Sequence, residues 1–152
     1  MLIEKGYNPS DVPSKTDAEL YKLAKEVFPE MFKQTREGKR GGFFLKYDEN
    51  TPKQAYTKHN LSNTNAERIS FGKSAFTSFK TLTSVMGHEF DHVMNLQSGQ
   101  YNLWLNESGN ADYAENRMEI SARSWQLNHW GPTNINQYLK FQFGNLNHKL
   151  YD

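Results

Sequence analysis

One five-residue pattern decides what this chain can fold into: His88-Glu89-Phe90-Asp91-His92, an H-E-x-x-H run inside the stretch Thr81 to Asn95. Two histidines four positions apart project from one face only if the segment is α-helical, and on that face both imidazoles reach a single metal ion. Glu89, one position past the first histidine, then stands beside the ion, where its carboxylate can take a proton from a water molecule that the ion holds. Phe79, Leu82, Val85, Met86, Phe90, Val93 and Met94 recur at three- and four-residue spacing around the pattern. That periodicity predicts a largely buried helix, capped at its start by Ser78 or Thr77 and ended at Gly99.

A helix of this kind needs a core to sit in, and 152 residues suffice for one domain, taken as 1–152. Only 36% of the residues are hydrophobic, yet Phe, Tyr and Trp make up 14%, so the core is aromatic more than aliphatic. There is no cysteine. Disulfides, thiolate ligands and a thiol nucleophile drop out together, and a metal site must be made of His and carboxylate. The compartment stays open, because a chain without cysteine suits either redox environment. A net charge of +1 makes no bulk electrostatic case for nucleic acid or an anionic membrane as partner. Met1-Leu2-Ile3-Glu4-Lys5-Gly6 opens no apolar region of signal-peptide length, and no run reaches a membrane span. The chain therefore reads as soluble, with no address of its own.

In order along the chain, residues 1–15 carry Pro9 and Pro13 and read as an extended lead-in. Thr16-Asp17-Ala18-Glu19 matches a capping box, and Leu20, Leu23, Ala24, Val27 and Phe28 give the helix after it one apolar face. Pro29 breaks or kinks that helix, Met31 and Phe32 add a turn, and Glu37 to Gly42 is a polar connector. Gly42 to Tyr47 suits a strand, Asn60 to Asn65 a loop, and Arg68 to Lys73 a half-buried strand. This last strand either lies along the cleft, where a free edge can pair with an extended peptide, or is an ordinary strand within the sheet. Tyr101, Leu103, Trp104 and Leu105 read as a loop folded back on the domain, and Asn110 as the cap of a long helix from Ala111 to Trp130. Met118, Ala122, Trp125 and His129 make its apolar stripe, and the tail from Asn134 to Asp152 has aromatics enough to pack on the domain.

Two histidines do not finish a catalytic site, which takes three protein ligands and an open position. Glu115 and Glu119, four apart at the edge of the last helix's stripe, both qualify as the third. Glu115 falls nearer the middle of the buried face, and as the ligand it would leave Glu119 to orient a histidine from behind. Asp91, inside the pattern, points away from the ion.

The chain resembles the zincin metallopeptidases over roughly Arg68 to Trp130, and within them the gluzincin type. His88-Glu89-Phe90-Asp91-His92 matches the first half of that family's pattern, and Glu119-Ile120-Ser121-Ala122 the second, with Gln126 one more turn along. The resemblance implies an α+β fold with a small sheet, an active-site helix and a following helix that carries the third ligand. It also implies a zinc ion on His88, His92 and Glu119, and Glu89 as the catalytic base of peptide-bond hydrolysis. Peptide deformylases share the H-E-x-D-H helix but need a cysteine ligand, which this chain lacks. More loosely, the compact size and the Asn-rich, aromatic composition are similar to the zincin toxin domains at the C-terminus of large bacterial secreted proteins, which implies an immunity protein as partner.

The expected function is zinc-dependent hydrolysis of a peptide or protein substrate, with Tyr113, His129 and Tyr138 as candidates to stabilise the oxyanion. Two alternatives differ in class. A zinc-stapled binding module would close the ion with a fourth ligand such as Asp112 or His129. A hydrolase of small amides or esters would keep the whole site and differ only in the cleft.

Overall fold

The structure, a computed structural model, describes residues 8–36, 44–59 and 66–130. In chain order its elements are helices α1 (Asp17–Val27) and α2 (Pro29–Arg36), strands β1 (Phe44–Tyr47), β2 (Ala55–His59) and β3 (Ala66–Phe71), then helices α3 (Phe79–Gln97), α4 (Gln100–Ser108) and α5 (Ala111–Trp130). The fold is α+β. The polar connector at 37–42, the loop at 60–65 and the tail from 134 lie outside the described residues.

Helix α3 is the spine, because its apolar positions close around most of its circumference. Leu82, Met86, Phe90 and Val93 are fully buried, and they share one core with Leu20 and Leu23 of α1, Leu45 of β1, and Ile69 and Phe71 of β3. Ser78 starts the helix by accepting the Thr81 N–H on its hydroxyl at 3.0 Å. Gly99 follows its end with φ +84°, a conformation that favours glycine. At α1, Thr16 Oγ1 accepts the Glu19 N–H at 3.1 Å, half of the reciprocal pair expected there. Pro29 is the first residue of α2, so its missing N–H costs the helix nothing and the chain turns at Phe28.

The sheet has the order β1-β3-β2, with β1 parallel and β2 antiparallel to β3. This overturns one of those alternatives. The strand read as Arg68 to Lys73 is the central one, with Ile69, Ser70 and Phe71 all buried and partners on both sides, so it offers no edge to a peptide. The edge on the cleft side is β2, which the sequence reading passed over. The opposite edge, β1, is sealed by α1: Tyr21 Oη accepts the Leu45 N–H at 3.1 Å, and Asp17 Oδ1 accepts the Tyr47 N–H at 2.7 Å.

A second correction concerns residues 100–108, a helix and not a loop. Gly99 and Gly109, with φ of +84° and +64°, bracket it, Tyr101 is buried, and Trp104 and Leu105 pack on the core. Helix α5 then starts as read, with Asn110 Oδ1 accepting the Asp112 N–H at 2.8 Å and the Tyr113 N–H at 3.3 Å.

Helices α3 and α5 approach closely because position 87 is glycine. A Cβ there would fall inside the ring of Trp125, which lies over the α3 backbone beside His88 and also packs on Phe28. Gly87→Ala should therefore push α5 away from α3, at a cost of about 1–3 kcal/mol by the usual penalty for overpacking. Urea unfolding of the variant against the parent measures it. An unchanged midpoint would mean that the Trp125 contact is dispensable.

Candidate metal centre

His88, Glu89 and His92 share the inward side of α3 and are each less than 8% exposed. Helix α5 crosses there and brings Glu119, whose Oε2 lies 3.3 Å from His88 Nε2 and Oε1 2.9 Å from His92 Nε2. Among the described residues, His88, His92 and Glu119 are the group of His and acidic side chains whose donor atoms converge, all within 4.8 Å of one another. Three donors bound roughly 2.0–2.2 Å from one tetrahedral centre stand on the order of 3.3–3.5 Å apart, so these atoms need little movement to take an ion.

Glu115, the other carboxylate left open by the sequence, turns elsewhere. Its Oε1 lies 3.6 Å from His59 Nε2 and accepts the Tyr101 hydroxyl at 3.2 Å. Its side chain is 51% exposed against 33% for Glu119, so Glu115 is not nearer the middle of the buried face. One helical turn separates the two, and the crossing of α3 selects the later one.

The hydrogen bonding around His88 leaves a place for a cation. Gln126 donates its Nε2 to the Ser84 carbonyl at 3.1 Å and to Ser84 Oγ at 2.9 Å. A carbonyl only accepts, which fixes the amide's orientation and puts Gln126 Oε1 2.9 Å from His88 Nδ1. His88 therefore carries its proton on Nδ1, and in the neutral ring the Nε2 lone pair faces the Glu119 carboxylate. Two acceptors so placed need a positive charge between them, either a proton on Nε2 in the metal-free chain or a bound cation. The His88 and His92 rings are 4.6 Å apart at 85°, where two imidazolium charges would repel. One divalent ion satisfies both rings and the carboxylate together, and two imidazoles with a carboxylate are a donor set that suits zinc.

Asp91 points away from this group as expected, though into the α3–α5 contact and not into solvent. It accepts from Ser121 Oγ at 2.7 Å and from Asn95 Nδ2 at 3.1 Å, and burial raises its pKa. His129 is exposed, stacked 4.1 Å from the Trp125 ring and hydrogen-bonded to the Trp125 carbonyl, outside the converging donors and not lining the cleft. Asp112 is exposed in the first turn of α5, away from the group. Tyr113 does not line the cleft, and Tyr138 lies outside the described residues.

The cleft over the group has a volume of about 620 Å³, and its far wall is β2. Thr57 Oγ1 donates to Glu89 Oε2 at 2.6 Å. His59, two residues on, faces the same way, with its ring edge-on to Tyr101 at 5.5 Å. Sequence reading missed both. The signal it had was Tyr56-Thr57, a β-favouring pair framed by Pro52 and Asn60. No protein-family model matches the chain, and neither a curated protein nor a solved structure is found to be similar to it.

The charges of the site are mutually held. Burial alone would lower the His92 pKa, but its hydrogen bond to Glu119 and the charges of Glu89, Glu119 and Asp91 outweigh that and raise it above the ordinary 6.5. Burial likewise works to raise Glu119, yet hydrogen bonds and charge from both histidines carry it far below the ordinary 4.5. In the metal-free chain the raised His92 stabilises the fold fully below pH 6.5, an effect lost as pH rises through its folded value. The lowered Glu119 stabilises it above pH 4.5, an effect lost as pH falls through its folded value. Thermal unfolding with a chelator should thus show the greatest stability between these limits. With zinc the high-pH limb should reverse, since ligands bind deprotonated. A loaded protein that weakens as pH rises from about 6 to 8 would contradict the ligand set. Loss of a ligand should also exceed the ~10–100-fold cost of losing a supporting partner. Glu119→Ala is therefore expected to abolish zinc binding in a competition titration, while Glu115→Ala leaves one zinc per chain.

Proposed function

We propose that the chain is a zinc-dependent peptidase of the zincin type. The observation that carries this reading is the position of Glu89: buried, in the same cleft as His88, His92 and Glu119, but outside the converging donors. A zinc-stapled binding module has no use for a buried carboxylate beside its ion, and neither Asp112 nor His129 is placed to close the coordination. Zinc bound by the three residues would lower the pKa of a water in its open position and polarise the scissile carbonyl.

The chain's own residues account for the rest. His88 and His92 hold the ion through Nε2, and the Gln126 amide fixes the His88 tautomer from behind. Glu89 takes the proton of the attacking water as the new C–O bond forms and the carbonyl π pair moves to oxygen, then passes that proton to the amine nitrogen, so that the C–N bond breaks as the carbonyl re-forms. His59 lines the same cleft with its Nε2 turned to Glu115, so it does not take over the oxyanion role expected of Tyr113 or His129. The edge of β2, which no other described strand pairs with, favours an extended peptide over a small amide or ester, because main-chain N–H and C=O groups along a strand pair with another main chain.

Glu89→Gln tests this directly. The substitution keeps the volume and the hydrogen bond from Thr57, so zinc content and melting temperature should stay close to those of the parent. Hydrolysis of an internally quenched peptide mixture should fall roughly 10²–10⁴-fold, the usual contribution of a general base. A variant that keeps full activity would rule out the mechanism even with zinc in place.

A further inference from the structure

Strand β2 touches the proposed base through a side chain and faces the open edge of the sheet with its backbone, and both features meet at one residue. We infer that Thr57 is the positioning residue of the active site: its hydroxyl fixes the carboxylate of Glu89, while its main chain forms the part of the strand edge against which a substrate peptide is laid. The inference rests on the peptidase reading and assigns that reading a residue which the H-E-x-x-H pattern does not contain.

Two independent observations place Thr57. The first is the 2.6 Å hydrogen bond from Thr57 Oγ1 to Glu89 Oε2, within the short range of a hydroxyl donating to a carboxylate and made to a residue that is only 5% exposed. Glu89 sits on a long side chain whose terminal torsion is soft, so a donor on one oxygen decides where the other points. With Oε2 held by the strand, Oε1 is left for the water.

The second is the phase of the ladder. Gly72 N–H donates to the Gln54 carbonyl at 2.8 Å, and the register pairs Ala55 with Phe71 and Thr57 with Ile69. In an antiparallel pair alternate residues turn both N–H and C=O toward the partner strand. Gln54 and Tyr56 therefore face β3, and Ala55 and Thr57 face the side that no other described strand pairs with. Thr57 thus offers a donor and an acceptor to an incoming strand from the same residue that holds the base. Substrate seated on this edge is registered against the base through a single Cα, with no loop in between.

A positioning role predicts a split between rate and binding. In Thr57→Val the backbone edge and the β-branched shape remain and only the hydroxyl goes, so zinc-loaded protein acting on the internally quenched peptide mixture should lose about 10–100-fold in kcat with KM within about twofold of the parent, the range found when a supporting partner of a metal site is removed. Thr57→Ser, which restores the donor, should recover kcat to within a few-fold. A readout independent of turnover is the hydroxyl proton itself: buried and bonded to a carboxylate, it should exchange slowly and give a resolved proton NMR resonance in the parent and in Thr57→Ser, absent in Thr57→Val. If the Val variant does not melt cooperatively or does not bind zinc, Thr57→Ala against Thr57→Ser carries the same comparison. A Val or Ala variant with the parent's kcat, a Ser variant as slow as Val, or a parent without the hydroxyl resonance each overturns the assignment. Glu89→Gln separates the two levels: if it is as active as the parent the peptidase reading itself has failed, whereas an inactive Glu89→Gln beside a fully active Thr57→Val leaves the reading standing and removes Thr57 from it.

Discussion

The site depends on the crossing of α3 and α5. Each helix alone is ordinary: one carries two histidines a turn apart, the other two glutamates a turn apart. Their contact turns these into a converging set, and it is made close by the absence of a side chain at Gly87, which lets the Trp125 ring rest on the backbone next to His88. Two polar braces fix the register along that contact. Gln126 reaches Ser84 and His88 on one side of the ion site, and the Asp91, Asn95 and Ser121 cluster ties the helices on the other. Both braces are partly buried, so sliding either helix would break hydrogen bonds that water replaces only in part, at about 0.5–1.5 kcal/mol for each bond lost. A metal placed there meets ligands already held in position.

The parts of this arrangement that the sequence reveals are those governed by local rules. The apolar period of α3, its Ser78 cap and the Asn110 cap of α5 are each set by residues within a turn of one another, and each agrees with the structure. The choice between Glu115 and Glu119 has no local basis, because both occupy nearly the same helical face. Only the tertiary crossing tells them apart, by bringing Glu119 and not Glu115 to the two histidines. Helix α4 escaped for a different reason. It is nine residues long, it begins after a glycine with no side-chain cap, and its Tyr101, Trp104 and Leu105 look equally at home in a packed loop.

Strand β2 is the most consequential omission, and a physical reason lies behind it. A strand at the rim of a cleft is half covered on both faces, so Ala55, Tyr56, Thr57 and His59 are all of intermediate burial and the alternation that marks a strand is erased. The same half-burial gives the strand its use, since a side chain at such a rim can touch the base and still leave the adjacent backbone accessible. Positions that support catalysis without belonging to a motif are for this reason the ones that periodicity finds last.

The treatment of the other rim has a consequence for the chain's behaviour in crowded solution. Tyr21 and Asp17 occupy the outward N–H groups of Leu45 and Tyr47, which leaves β2 as the unpaired edge among the described strands. Growth of a fibre by edge-to-edge pairing requires every molecule to offer two edges, one to receive and one to extend. A sheet with one capped rim can pair once, back to back with a second copy, and the stack then ends. Among the described strands, the edge such pairing would use is the one that walls the cleft, so association through the sheet and access to the cleft compete for the same strand.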